Sequence, residues 1–146
     1  MIQEPLVIEV TYNASVEKVW QALTDNEQMK QWYFDIDGFR PEVGFQFTFK
    51  GENEGRVFIH LCRITEVTPF QKLKHSWQYE GLDGLSYVTF ELFPKEDQTR
   101  LKLTHEGLET FPQNKDFQRE NFVQGWTQIT GTHLRNFLEK TPTENK

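Results

Sequence analysis

A single cysteine, Cys62, stands in 146 residues, so an internal disulfide is excluded and no CxxC pair exists to hold a metal or act as a redox centre. This fits a reducing compartment, and the cytoplasm is the expected location. No run of apolar residues is long enough to span a bilayer, and the opening "MIQEPLVIEV" has no basic stretch ahead of an apolar one. Membrane insertion and export are therefore not expected. Clusters of Lys and Arg are missing as well. The 22 acidic residues outnumber the 16 basic ones, for a formal charge of −6, which speaks against a nucleic-acid partner, because such a surface must track phosphates. Catalytic signatures are also lacking. There is no G-x-S-x-G, Walker loop or GxGxxG, and "GLDGLS" reads as a turn between strands. His60, His75, His105 and His133 show neither HExxH nor a short paired spacing, so no metal and no cofactor is expected. Asn13-Ala14-Ser15 matches a glycosylation sequon, but without an export signal it reads as a turn and helix cap.

What the chain has in excess is rings. Phe, Trp and Tyr make 14% of it although hydrophobic residues overall make only 36%, so the interior should be aromatic-rich. One domain is expected over residues 1–140, large enough to bury roughly 70% of the unfolded chain's surface. The last residues, "TPTENK" at 141–146, read as a flexible tail.

"LVIEVTY" alternates with the period of a half-buried strand. "SVEKVWQALTD" then opens on Ser15 as N-cap and carries Val16, Val19, Trp20 and Leu23 at helical spacing. Asp25 can cap a second short helix, "NEQMKQW". From Gly44 the period returns to two, with Phe45, Phe47 and Phe49 on one side, before "GENEG" reads as a turn. "RVFIHLCRITEV" is a long strand whose weak alternation leaves its faces ambiguous. "LKHSWQYE" sets Leu73, His75, Trp77 and Tyr79 on one face. "YVTFELFP" sets Val88, Phe90 and Leu92 on one face, and "TRLKLTHEG" sets Leu101, Leu103 and His105. Strand, two helices, a run of about five strands and one long helix make an α+β order.

The closing helix, "ENFVQGWTQITGTHLRNFLEK", carries Gly125 and Gly131 in its interior, where each costs roughly 1 kcal/mol relative to Ala. Close packing on both flanks is the favoured reason, ahead of a hinge or ligand role. At about 100° per residue, Phe122, Val123, Trp126, Ile129, Thr130, His133 and Phe137 share one face, with Leu134 and Leu138 at its edge. Trp126 and Phe137 should pack on the sheet while Gln128 and Arg135 meet water. His133 is then a polar group within an apolar stripe. It points either at a ligand or at a partner in the core, and His75 and His105 could line the same chamber.

Taken together, "SVEKVWQALTD", "GRVFIHLCRITEV", "LKHSWQYE", "VTFELFPKEDQTRLKLTHEGL" and "GWTQITGTHLRNFLEK" resemble the Hsp90 ATPase activator homologue (AHSA-type) family. That family is a branch of the START-like (SRPBCC, Bet v-like) superfamily. The resemblance runs from about Leu6 to Glu139 and rests on Trp20, Trp77, "LTHEG" and the "GW" of the last helix in that order. It implies a helix-grip fold, in which a curved antiparallel sheet of about six strands wraps the C-terminal helix and leaves an apolar cavity. The leading expectation is a non-enzymatic protein binding a small hydrophobic or amphipathic molecule, with Trp77, Tyr79, Phe90, His105, Trp126 and His133 as cavity lining. Co-chaperone-like interaction with an Hsp90-type chaperone ranks second, because the eukaryotic activator carries an additional N-terminal domain and this chain starts at strand one. A cyclase- or hydrolase-type enzyme of the superfamily ranks last, since no acid/base pair is visible.

Overall fold

The structure is a computed structural model that describes residues 4–33, 36, 38–53, 55–112 and 117–139. The tail expected at 141–146 lies outside them. Strands β1 (Leu6–Tyr12), β2 (Gln46–Asn53), β3 (Arg56–Thr68), β4 (Lys72–Tyr79), β5 (Ser86–Lys95) and β6 (Gln98–Glu106) form one sheet in the order β1-β6-β5-β4-β3-β2. Every pairing is antiparallel. β1 and β2 are thus opposite edges, and the chain crosses between them through α1 (Val16–Thr24) and α2 (Asn26–Trp32).

The two helices begin where short acceptor side chains occupy their free amides. Ser15 accepts from the Lys18 amide and Asp25 from that of Glu27. Trp20 and Leu23 of α1 and Met29 and Trp32 of α2 are buried, and the Trp32 indole donates to the Ala22 carbonyl at 2.9 Å. The alternation of β6 holds along its length, with Leu101, Leu103 and His105 buried opposite Val10, Ile8 and Leu6.

One strand expectation is corrected and one left open is settled. Gly51, Glu52 and Asn53 remain in β2, paired with Phe58, Val57 and Arg56, so the turn after β2 is tighter than "GENEG" suggests. The ambiguity of β3 has two causes, apolar Val57, Ile59 and Leu61 on its outer face and, further along, a bulge between Ile64 and Glu66 that shifts the register against β4. One extra residue reverses the side-chain alternation, so His60, Cys62 and Ile64 face inward but the period breaks beyond them.

The closing helix runs through α3 (Arg119–Gln128), a π turn (Ile129–Leu134) and α4 (Arg135–Leu138). Its buried stripe is Trp126, Thr130, Leu134 and Leu138, not the stripe drawn through Ile129, His133 and Phe137. In a regular helix a residue every four positions drifts by about 40° per step. The wider π turn offsets that drift and keeps the four side chains on the sheet. Phe137 is half-buried, His133 and Gln128 are exposed, and Arg135 lies over the Tyr12 ring at 5.5 Å. A π turn loosens the helix's own hydrogen-bond ladder, and here the Tyr12 hydroxyl donates to the Thr130 carbonyl at 2.7 Å. The Thr130 hydroxyl in turn donates to the Trp126 carbonyl at 2.7 Å.

Close packing does not account for the two glycines. A Cβ at Gly125 or Gly131 would meet nothing within 4 Å. Gly125 instead opens onto a cleft.

Candidate functional site

Between the β2–β4 end of the sheet and the first half of the closing helix lies a cleft of about 790 Å³. Its sheet side presents Phe49, Phe58, His60, Trp77 and Tyr79, and its helix side Phe122, Trp126 and Ile129. Asn121, Gln124, Gln128 and His133 add a row of polar groups along the helix, and Lys50 and Glu52 are the basic and acidic residues of the described lining.

His60 is held by rings. It stacks on Phe49 with centroids 4.4 Å apart, meets Trp77 edge-on at 4.8 Å and lies 4.8 Å from Tyr79. One ring nitrogen, Nδ1, lies 3.2 Å from the Phe58 carbonyl. Burial lowers its pKa to about 4 against the opposing pull of the Phe49 and Phe58 carbonyls, so the imidazole is neutral near pH 7. The ring fits because residue 51 is glycine: a Cβ there would lie 2.6 Å from His60 Cε1. Gly51, within an otherwise ordinary strand, is thus explained by close approach of a neighbouring ring.

Tyr79 is buried among Phe58, Phe111 and Phe117, with centroids 5.9, 5.1 and 5.0 Å away. Its hydroxyl accepts the Trp77 indole proton at 3.0 Å. Burial raises its pKa above the ordinary phenol value and keeps it protonated.

The six residues expected to line one cavity divide. Trp77, Tyr79, Trp126 and His133 meet at the cleft, His133 as an exposed residue of its lining. Phe90 does not reach it, and borders instead a small void of about 20 Å³ with His75, Tyr33 and Trp32. His105 is also corrected, because it lies fully buried beneath Trp126. The Trp126 indole donates to His105 Nδ1 at 3.0 Å. The Ser86 hydroxyl donates to the Trp77 carbonyl at 2.9 Å, so its 2.8 Å contact with His105 Nε2 is made with the proton on Nε2. A serine and histidine at this distance have the spacing of a nucleophile and its base. Here the tautomer rules that role out, since Nε2 already carries the proton and Nδ1 is occupied. Both side chains are sealed from water.

His75 directs Nδ1 to the Ser76 carbonyl at 2.8 Å and is likewise buried, which lowers its pKa to about 4. Among the described residues no group of three or more His, Cys, Asp or Glu is placed to hold a metal ion. No helix of the described residues is long and apolar enough to cross a membrane.

Phe49, Gly51, Phe58, His60 and Phe117 are site residues that sequence reasoning missed. The alternating phenylalanines of β2 were a usable signal for Phe49. His60 and Phe58 were hidden by the blurred alternation of β3.

An open six-stranded antiparallel sheet with a long C-terminal helix against it and two short helices after its first strand defines a START-like helix-grip protein. A family model described as Activator of Hsp90 ATPase homolog 1-like protein matches residues 13–139, and the chain belongs to that family. Among solved structures, the Mll3558 protein from Rhizobium loti is similar with a TM-score of 0.79 at 24% identity, over 92% of this chain and 96% of that one. MLL2253 from Mesorhizobium loti gives 0.74 at 28% identity, over 94% and 98%. The Aha1 dimer from Colwellia psychrerythraea gives 0.66 at 25% identity, over 94% and 97%. A comparison with curated proteins gives no match.

Proposed function

We propose that this protein is a non-enzymatic binding protein that holds a small apolar or amphipathic molecule in the cleft between sheet and closing helix. The observation that carries the reading is the cleft itself, about 790 Å³ with a ring-lined sheet side and a polar row on the helix. Such a volume and lining suit a drug-sized ligand with an apolar body and a few polar groups.

Gly125 supplies the test. A side chain there enters open space, and leucine is a better helix former than glycine by up to about 1 kcal/mol. Gly125→Leu should therefore fold at least as stably as the wild type while projecting a branched side chain into the cleft. Titrated with N-phenyl-1-naphthylamine, a neutral dye that brightens in apolar surroundings, the wild type should saturate at one site. The variant should lose at least about tenfold in affinity. Equal dye binding by the two proteins, or no saturable binding by the wild type, would refute the reading.

A second reading, co-chaperone-like contact with an Hsp90 homologue, is favoured by family membership and by the similarity to the Colwellia protein. It ranks below ligand binding. Added to a bacterial Hsp90 homologue, the chain is expected to change the ATPase rate little, and a saturable several-fold stimulation would reverse the ranking.

A further inference from the structure

Gly51 sits inside a strand whose backbone does not call for glycine. Its φ lies outside the left-handed region and it pairs in register with Phe58, yet glycine weakens a strand interior. The need comes from a neighbour. Position 51 shares the inward face of β2 with Phe47 and Phe49, and a Cβ there would lie 2.6 Å from His60 Cε1 and 3.4 Å from its Nε2. The imidazole has little room to yield along the sheet. Phe49 stacks on it with centroids 4.4 Å apart, Trp77 and Tyr79 each lie at 4.8 Å, and Nδ1 is 3.2 Å from the Phe58 carbonyl oxygen. The open space beside the ring is the cleft, which Gly51 and His60 both line.

Resting on the binding reading above, we infer that Gly51 is a specificity-determining residue of the cleft: by leaving space for the His60 ring against the sheet, it sets how large a molecule the cleft accepts. A methyl group at position 51 cannot share that space, because 2.6 Å is far inside the separation at which carbon atoms attract. One of the two must move. The imidazole turns about its side-chain torsions, whereas β2 is held to β3 by a continuous ladder. The ring therefore gives way, and it swings from the sheet into the cleft, where it occupies volume otherwise open to a ligand. Gly51 and His60 thus act as a pair, the smaller residue keeping the larger one out of the site. Gly125 differs, since a side chain there enters open space from the helix without displacing a neighbour.

The experiment titrates the full chain with N-phenyl-1-naphthylamine and with 1-naphthylamine, the same fluorophore without the phenyl ring. In Gly51→Ala the affinity for the larger dye should fall by at least about fivefold, and that for the smaller dye by less than about twofold. The double variant Gly51→Ala/His60→Ala removes the displaced ring, and should return the larger dye to at least about half its wild-type affinity. A further measurement needs no variant to fold: in the wild type a nuclear Overhauser effect should connect His60 Hε1 with the Gly51 Hα protons. An unchanged affinity for the larger dye in Gly51→Ala, an equal loss for both dyes, a loss that the double variant does not recover, or a missing Overhauser effect would overturn the inference while leaving the cleft a binding site. Failure of the wild type to bind N-phenyl-1-naphthylamine saturably would overturn the binding reading, and this inference with it.

Discussion

Lowering the pH from 7 to 5 is expected to remove about 6 kcal/mol of folding stability, through His60, His75 and His105. All three are buried and neutral, and burial lowers their folded pKa values to about 4, about 4 and about 3. The close approach of His75 lowers that of His105 further. In the unfolded chain each returns to about 6.5. Because the folded values are the lower ones, the unfolded chain takes up protons first as the medium is acidified. The stability they confer is complete above about pH 6.5, falls between there and about pH 4 for all three, and continues to fall to about pH 3 for His105. At pH 5 each contributes a loss of about 2 kcal/mol, and the total is comparable with the 5 to 15 kcal/mol that holds a typical domain together. Protonation also undoes a particular contact: a proton on His105 Nδ1 would face the Trp126 N–H, donor against donor, where the helix meets the sheet. Urea denaturation at a series of pH values between 7 and 5 measures the effect. Its slope should approach an uptake of three protons on unfolding, and a slope of less than one would contradict buried neutral imidazoles.

Much of this architecture is legible in the chain, and the failures are local. The period-two runs of β4, β5 and β6 and the caps at Ser15 and Asp25 are properties of neighbouring residues, and the structure holds to them. The bulge between Ile64 and Glu66 is not such a property. It depends on β4 lying alongside, whereas His60, in the regular part of β3, is concealed because Val57, Ile59 and Leu61 on the opposite face are apolar too. The π turn depends on its surroundings as the bulge does. A uniform 3.6-residue period places His133 on the buried stripe, and only the widened turn, with Tyr12 meeting the Thr130 carbonyl from β1, brings Leu134 there instead. The glycines misled for a related reason. Gly51 is the position where a neighbouring ring needs the missing side chain, whereas Gly125 and Gly131 face open space. A sequence records that a position is glycine and is silent on whether a neighbour or a void lies over it.

Replacing His105 with leucine is expected to cost about 2 to 3 kcal/mol, although the substitution makes the core more apolar. The imidazole joins two elements. Through Nδ1 it takes the proton of the Trp126 indole on the closing helix, and through Nε2 it reaches Ser86 on β5, whose own proton is committed to the Trp77 carbonyl. Leucine leaves the Trp126 N–H buried without an acceptor and removes the donor at Ser86 Oγ, and the penalty arises from those stranded groups rather than from lost volume. A double-mutant cycle separates the two causes. Trp126→Phe alone should destabilise by a few kcal/mol, from lost ring area and an unmet His105 Nδ1. In the double variant neither stranded indole N–H nor unmet imidazole remains, so the combined loss should fall short of the sum of the single losses by about 1 to 2 kcal/mol. Chemical denaturation at pH 8, where His105 is neutral in both states, gives the four stabilities. Additivity within about 0.5 kcal/mol would show that helix and sheet are held by ring packing alone, with the His105–Trp126 bond adding nothing net.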